Sequence, residues 1–161
     1  MSEVLPDIPR VYTALAEWMA CLIYISVLKK LLTGLRLAAF SGVILIGQAV
    51  FLVLTKDLPI VFWIPSMVVA IGMMFLFIYR SCDITALEAG YFSARAFVAA
   101  ELVASLEWQV HFFFLNGINS HWLWAVLILI VVYGVSFLLI WLLEKRQIPD
   151  GVKLNIRPRE L

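Results

Sequence analysis

Two strings place ionisable groups where hydrocarbon surrounds them. "ASLEWQVHF", Ala104 to Phe112, carries Glu107, Gln109 and His111 within five positions, and "ALAEW", Ala14 to Trp18, repeats its Glu-Trp core ninety residues earlier. Glu107 and His111 stand at i and i+4, on one helix face, where they can share a proton or a ligand. Carboxylates beside tryptophan rings suit a cationic or peptide ligand, through charge and cation–π attraction. Glu17 would supply a third metal ligand, but no second histidine at helical spacing and no cysteine cluster completes the set. Neither a metal nor a cofactor is expected.

The surroundings make these groups costly. The chain is 64% hydrophobic and 14% charged, with a mean hydropathy of +1.01, whereas about a quarter of the residues in soluble domains are charged. This composition requires a bilayer, and 161 residues supply several spans of about 20 residues each with little left for a soluble domain. Five apolar segments can be drawn, at roughly 11–32, 35–55, 58–79, 84–116 and 121–143. The fold class expected is therefore an all-α polytopic membrane protein. Residues 1–143 would form a compact bundle of about five transmembrane helices joined by short links, and residues 144–161 a basic tail or linker.

Lys29, Lys30, Arg36, Arg80, Lys145, Arg146, Lys153, Arg157 and Arg159 fall on one side of these spans, against Arg10 and Lys56 on the other. The positive-inside rule then puts the N-terminus outside and the C-terminus in the cytoplasm. Net charge is +1, which argues against nucleic acid as a partner. Cys21 and Cys82 read as free thiols. Pro59 suits the first turn of segment three and Pro65 a kink within it. Asp83 or Thr85 can cap segment four, and Thr85 with Glu88 has capping-box spacing.

Depth follows from a rise of about 1.5 Å per residue. Glu17, Trp18, Gln48, Trp63, Glu107, Trp108 and His111 then fall in one outer-leaflet layer, with His121, Trp122 and Trp124 close above it. Two intramembrane carboxylates at one level predict a water-accessible pocket open to the outside, and these seven residues are the candidate ligand-binding set. Each also has a structural reading: Trp63, Trp122, Trp124 and Trp141 as an aromatic belt, Gln48 as a helix-to-helix hydrogen bond, and Glu17 with Glu107 as a pair joining segments one and four. Glu101 lies about two turns deeper than Glu107, off its face. It reads as a buried acid, with Tyr24 or Ser26 at its level.

Segment four is too long for a simple span, and its start is expected at the inner interface, where Glu88 and Arg95 share a face and can be solvated or bridged. Ala86, Gly90, Ser93, Ala96, Ala100 and Ala104 form a small-residue stripe that lets helices approach closely. Segment four is accordingly expected at the centre of the bundle. In the tail, Pro149, Asp150 and Gly151 read as a turn and Val152 to Ile156 as a short extended piece. The stop after "RPREL" reads as that of a fragment.

No Gly-rich phosphate loop, Ser-His-Asp set or zincin pattern is present, and both histidines are expected outside. The chain alone is therefore not expected to be an enzyme. Taken together, "IPRVYTALAEWMACLIYI", "LPIVFWIPSMVVAI" and "SCDITALEAGYFSARAFVAAELVASLEWQVHFF" resemble the N-terminal transmembrane sensor region of Firmicute GHKL-type sensor histidine kinases. That resemblance implies a two-component sensor in the bacterial cell membrane, coupled to a cytoplasmic dimerising kinase portion whose ATP site and phosphoacceptor histidine this chain lacks. The expectation is a sensor module for an extracytoplasmic or membrane-borne ligand. The alternatives are a small membrane transporter or substrate-binding membrane subunit, and a structural membrane scaffold.

Overall fold

The computed structural model describes residues 9–55, 59–117 and 122–148. Within them the chain forms five helices: α1 (Arg10–Val27), α2 (Gly34–Leu54), α3 (Ile60–Ser81), α4 (Ala86–Gly117) and α5 (Trp122–Gln147). Four of these, α1, α2, α3 and α5, are long and apolar enough to cross a membrane. The fifth, α4, is the longest at 32 residues, but Glu88, Arg95, Glu101 and Glu107 dilute its hydrocarbon. The turn and extended piece expected after Pro149 lie outside the described residues.

Exposed surface is largely hydrocarbon, the inverse of a water-soluble bundle. Only Ser41, Gln48 and Leu52 of α2 are buried, while Val43, Ile46 and Val50 face outward, as do Leu127, Ile130 and Val135 of α5. The core is formed by Tyr24, Met74, Phe77, Ile78, Phe92 and Val103, together with small residues from α1 and α4.

The centre of the bundle is α1, which packs on all four other helices, whereas α4 meets α1, α3 and α5 but not α2. This corrects the expectation that segment four would be central. The cause is the small-residue content of α1: Ala14, Ala16, Ala20 and Cys21 are all buried, so neighbours approach its backbone from several sides. Along the α4 stripe, Ser93, Ala96, Ala100 and Ala104 are buried, Gly90 is half-buried and Ala86 is exposed. Polar contacts fix the register of α2, since the Trp18 indole Nε1 donates to Ser41 Oγ at 2.9 Å and to the Ser41 carbonyl at 3.1 Å.

The first helix stops at Val27, five residues short of the expected end, because the segment after it pairs with the α3–α4 connection. Leu31 and Leu32 donate backbone hydrogen bonds to the Ser81 carbonyl, and Asp83 donates to that of Lys29. Lys29 Nζ also meets Asp83 Oδ2 at 3.2 Å. Tertiary pairing thus satisfies backbone groups that another helical turn would have used. The next helix opens on Gly34 at φ +59°, a left-handed conformation that disfavours a Cβ. Thr85 and Glu88 form the expected capping box. Glu88 Oε2 accepts from Thr85 N at 2.8 Å and from its hydroxyl at 2.9 Å, and Glu88 N donates back to Thr85 Oγ1 at 3.3 Å. Glu88 is therefore occupied locally and does not bridge Arg95. Pro65 lies inside α3, which is helical on both sides of it.

Gly34→Ala and Thr85→Ala should each destabilise the bundle by about 1 kcal/mol, read as a lower unfolding midpoint in detergent micelles. At the α3–α4 connection, burial outweighs the nearby Lys30 charge and pushes the Cys82 thiol up to about 12. Protonated below that pH and 2% exposed, Cys82 should react with a maleimide at neutral pH far more slowly in the folded protein than after unfolding.

Candidate functional site

A carboxyl held among helices needs donors, because an unpaired acid in hydrocarbon costs several kcal/mol. Glu17, on the hub helix, is 2% exposed, and Gln48 of α2, 1% exposed, donates its amide Nε2 to Glu17 Oε2. Gln48 is the only hydrogen-bonding partner that the described residues give this carboxyl. Gln48 Oε1 is itself buried without a partner.

Beside Glu17 lies a cavity of about 230 Å³ between α1, α2, α3 and α4, lined by Arg10, Thr13, Glu17, Leu52, Thr55, Ser66, Met67, Ala70, Phe97 and Glu101. Arg10 is close enough to act electrostatically on both Glu17 and Glu101. Local structure positions each lining group. Arg10 and Thr13 occupy the first turn of α1, Thr55 caps α2 with its hydroxyl on the Phe51 carbonyl at 2.9 Å, and Ser66 bonds back to the Phe62 carbonyl at 2.8 Å. The structure therefore brings Glu101 together with Glu17. Tyr24 and Ser26, placed at the level of Glu101 by depth alone, bond elsewhere.

Glu107 is not among the residues lining this cavity. It is wholly buried, and neither carboxyl oxygen has a hydrogen-bond partner among the described residues. His111 Nδ1 stands 3.2 Å from Glu107 Oε1, within ion-pair range but out of hydrogen-bond alignment. The His111 ring stacks on Trp108 at 5.4 Å between centroids and meets Tyr12 edge-on at 6.3 Å. Nearby, the Tyr133 hydroxyl of α5 donates to the Tyr12 carbonyl at 2.8 Å. Trp18 faces α2 through its bonds to Ser41 rather than either acid group. Of the remaining candidates, the Trp63 and Trp122 side chains and His121 lie outside the described residues.

A third polar cluster escaped the sequence reading. Glu144, in the last turn of α5, accepts at Oε1 from the Tyr24 hydroxyl of α1 at 2.9 Å and from Arg95 Nη2 of α4 at 2.6 Å. Arg95 also donates to the Tyr91 hydroxyl at 3.1 Å and to Gln147 Oε1 at 3.2 Å. Three helices are tied by one carboxylate. Arg95 needs a counter-charge, and Glu144 is the one acid between positions 122 and 148. The expected end of segment five at 143 excludes Glu144, which the structure carries within α5.

Comparison with known protein families, with curated proteins and with solved structures finds no match to this chain. The site therefore rests on its own chemistry.

Glu144→Leu should cost about 2 kcal/mol, since it strands the partly exposed Arg95 and removes the acceptor of Tyr24. The double variant Arg95→Leu/Glu144→Leu should recover part of that loss. Unfolding midpoints of the two singles and the double, compared as a cycle, check this.

Proposed function

We propose that this chain is a membrane-embedded sensor module whose sensing site is the Arg10–Glu17–Glu101 cavity. The observation that carries the reading is the cavity itself. A helical bundle closes more cheaply over hydrocarbon than over three ionisable groups around an open space, and a scaffold has no use for that arrangement. In this reading the N-terminus is outside, and the cavity opens toward the outer side, where α1 and α3 begin and α2 ends. The fourth helix completes a five-span bundle: Val98, Leu102 and Leu106 turn hydrocarbon outward, while Ser93, Ala96, Ala100, Ala104 and Glu107 are buried.

A cationic or peptide ligand entering from outside binds better to one packing of α1 against α4 than to another, and only that difference shifts the equilibrium. The change passes to a cytoplasmic kinase portion carried outside this chain, as in the GHKL-type sensor kinases that the sequence resembles. Such a portion would make the assembly a homodimer in the bacterial cell membrane. This chain senses and does no catalysis.

Cysteine pairs placed across α1 and α4, in a Cys21→Ala/Cys82→Ala background, test the reading. When cationic metabolites or peptides are screened from the outer side, a responding ligand should change the cross-linking rate about fivefold or more. Glu17→Gln should abolish the response while the helical circular dichroism is kept. Flux of the same ligand into liposomes with unchanged cross-linking would replace the sensor with a transporter.

A further inference from the structure

The charges around the cavity specify more than a general preference for cations. Arg10 supplies one basic group, and Glu17 and Glu101 supply two acidic ones. A simple cation leaves Arg10 facing positive charge, and a neutral amino acid leaves one carboxylate without a counter-charge. A molecule with two cationic groups and one carboxylate matches all three. We infer that the cavity binds a basic amino acid, with its carboxylate on Arg10 and its α-ammonium and side-chain cation on Glu17 and Glu101. This deepens the sensor reading above and rests on it for the choice of cavity.

Three further observations support the assignment. Glu17 is 2% exposed and lines the cavity, and the one hydrogen bond that the described residues give its carboxyl is at Oε2, from Gln48, which leaves Oε1 to accept from an ammonium. The hydroxyls of Thr55 and Ser66 spend their protons on backbone carbonyls and so keep only lone pairs to offer a ligand cation. Met67 and Phe97 line the same space and give an alkyl stem an apolar surface to lie on. The size also fits, because about 230 Å³ falls below the roughly 300–1,000 Å³ of pockets for drug-sized ligands. A single residue is accommodated more readily than a peptide.

The test uses the full chain in lipid nanodiscs, with titration calorimetry and thermal unfolding as readouts and L-lysine as the probe. Two analogues each delete one charge: norleucine lacks the side-chain ammonium, and cadaverine lacks the carboxylate. Lysine should bind and raise the unfolding temperature, and each analogue should bind at least about tenfold more weakly. Arg10→Gln should erase the preference of lysine over cadaverine, and Glu101→Gln the preference over norleucine. The wild-type series alone decides the matter if a variant fails to fold. Absence of binding by lysine, arginine and ornithine, or equal binding of lysine and either analogue, overturns the assignment and leaves Arg10 as an internal counter-ion for the two acids. Lysine binding without any change in α1–α4 cross-linking sinks the sensor reading and keeps the ligand class. A cross-linking response to another ligand, with no lysine binding, does the reverse.

Discussion

Gln48 donating to Glu17 joins two buried polar groups from neighbouring helices. Hydrocarbon gives helices little reason to prefer one partner over another, since lipid tails are as apolar as leucine. A buried carboxyl changes that, because α1 is stable only in a rotation that presents Glu17 to a donor. Ala14, Ala16, Ala20 and Cys21 then bring its neighbours close enough for the remaining contacts to form. The bond to Gln48, with that of Trp18 to Ser41, fixes α2, whose other residues mostly face outward. The central position of α1 follows from its small side chains and its acid together.

The two ends of the bundle solve the polar problem differently. Where α1 ends and α4 begins, Ser81 Oγ and Glu144 Oε2 lack partners among the described residues, but other groups are matched by the Thr85–Glu88 capping box, the Lys29–Asp83 ion pair, the backbone bonds to Ser81, and the Tyr24–Glu144–Arg95 cluster. Toward the opposite end, the described residues give Glu107 and Gln48 Oε1 no hydrogen bond, and Arg10, Glu17 and Glu101 line an open cavity. Regions with fewer satisfied contacts open at lower free energy. The half that holds the cavity is therefore the half best able to change shape.

Much of this architecture was legible in the sequence, because hydrocarbon runs of spanning length leave few alternatives to helices and Thr85–Glu88 announces its cap. The acids were visible as costly groups for the same reason. Their grouping was not. A depth scale of fixed rise per residue ranks Glu17 with Glu107 and sets Glu101 apart, but it carries no information about tilt or about which way each side chain turns. The structure puts Glu17 and Glu101 on one cavity and packs Glu107 beneath His111. Likewise, pattern along the chain extended the first helix to residue 32, where pairing with Ser81 and Asp83, some fifty positions away, ends it at Val27. Arg95 and Glu144 are 49 positions apart, and an expected end at 143 leaves Glu144 outside a helix that runs on to Gln147.

The backbone pairing between the α1–α2 and α3–α4 connections has a mechanical side. It clamps the ends of α1 and α3 to the starts of α2 and α4 at one point, through main-chain bonds that side-chain rearrangement does not loosen. With that point held, pivoting about the clamp costs the helices less than sliding past one another. The helices are then hinged at one shared end, and their opposite ends are the parts with most freedom to separate.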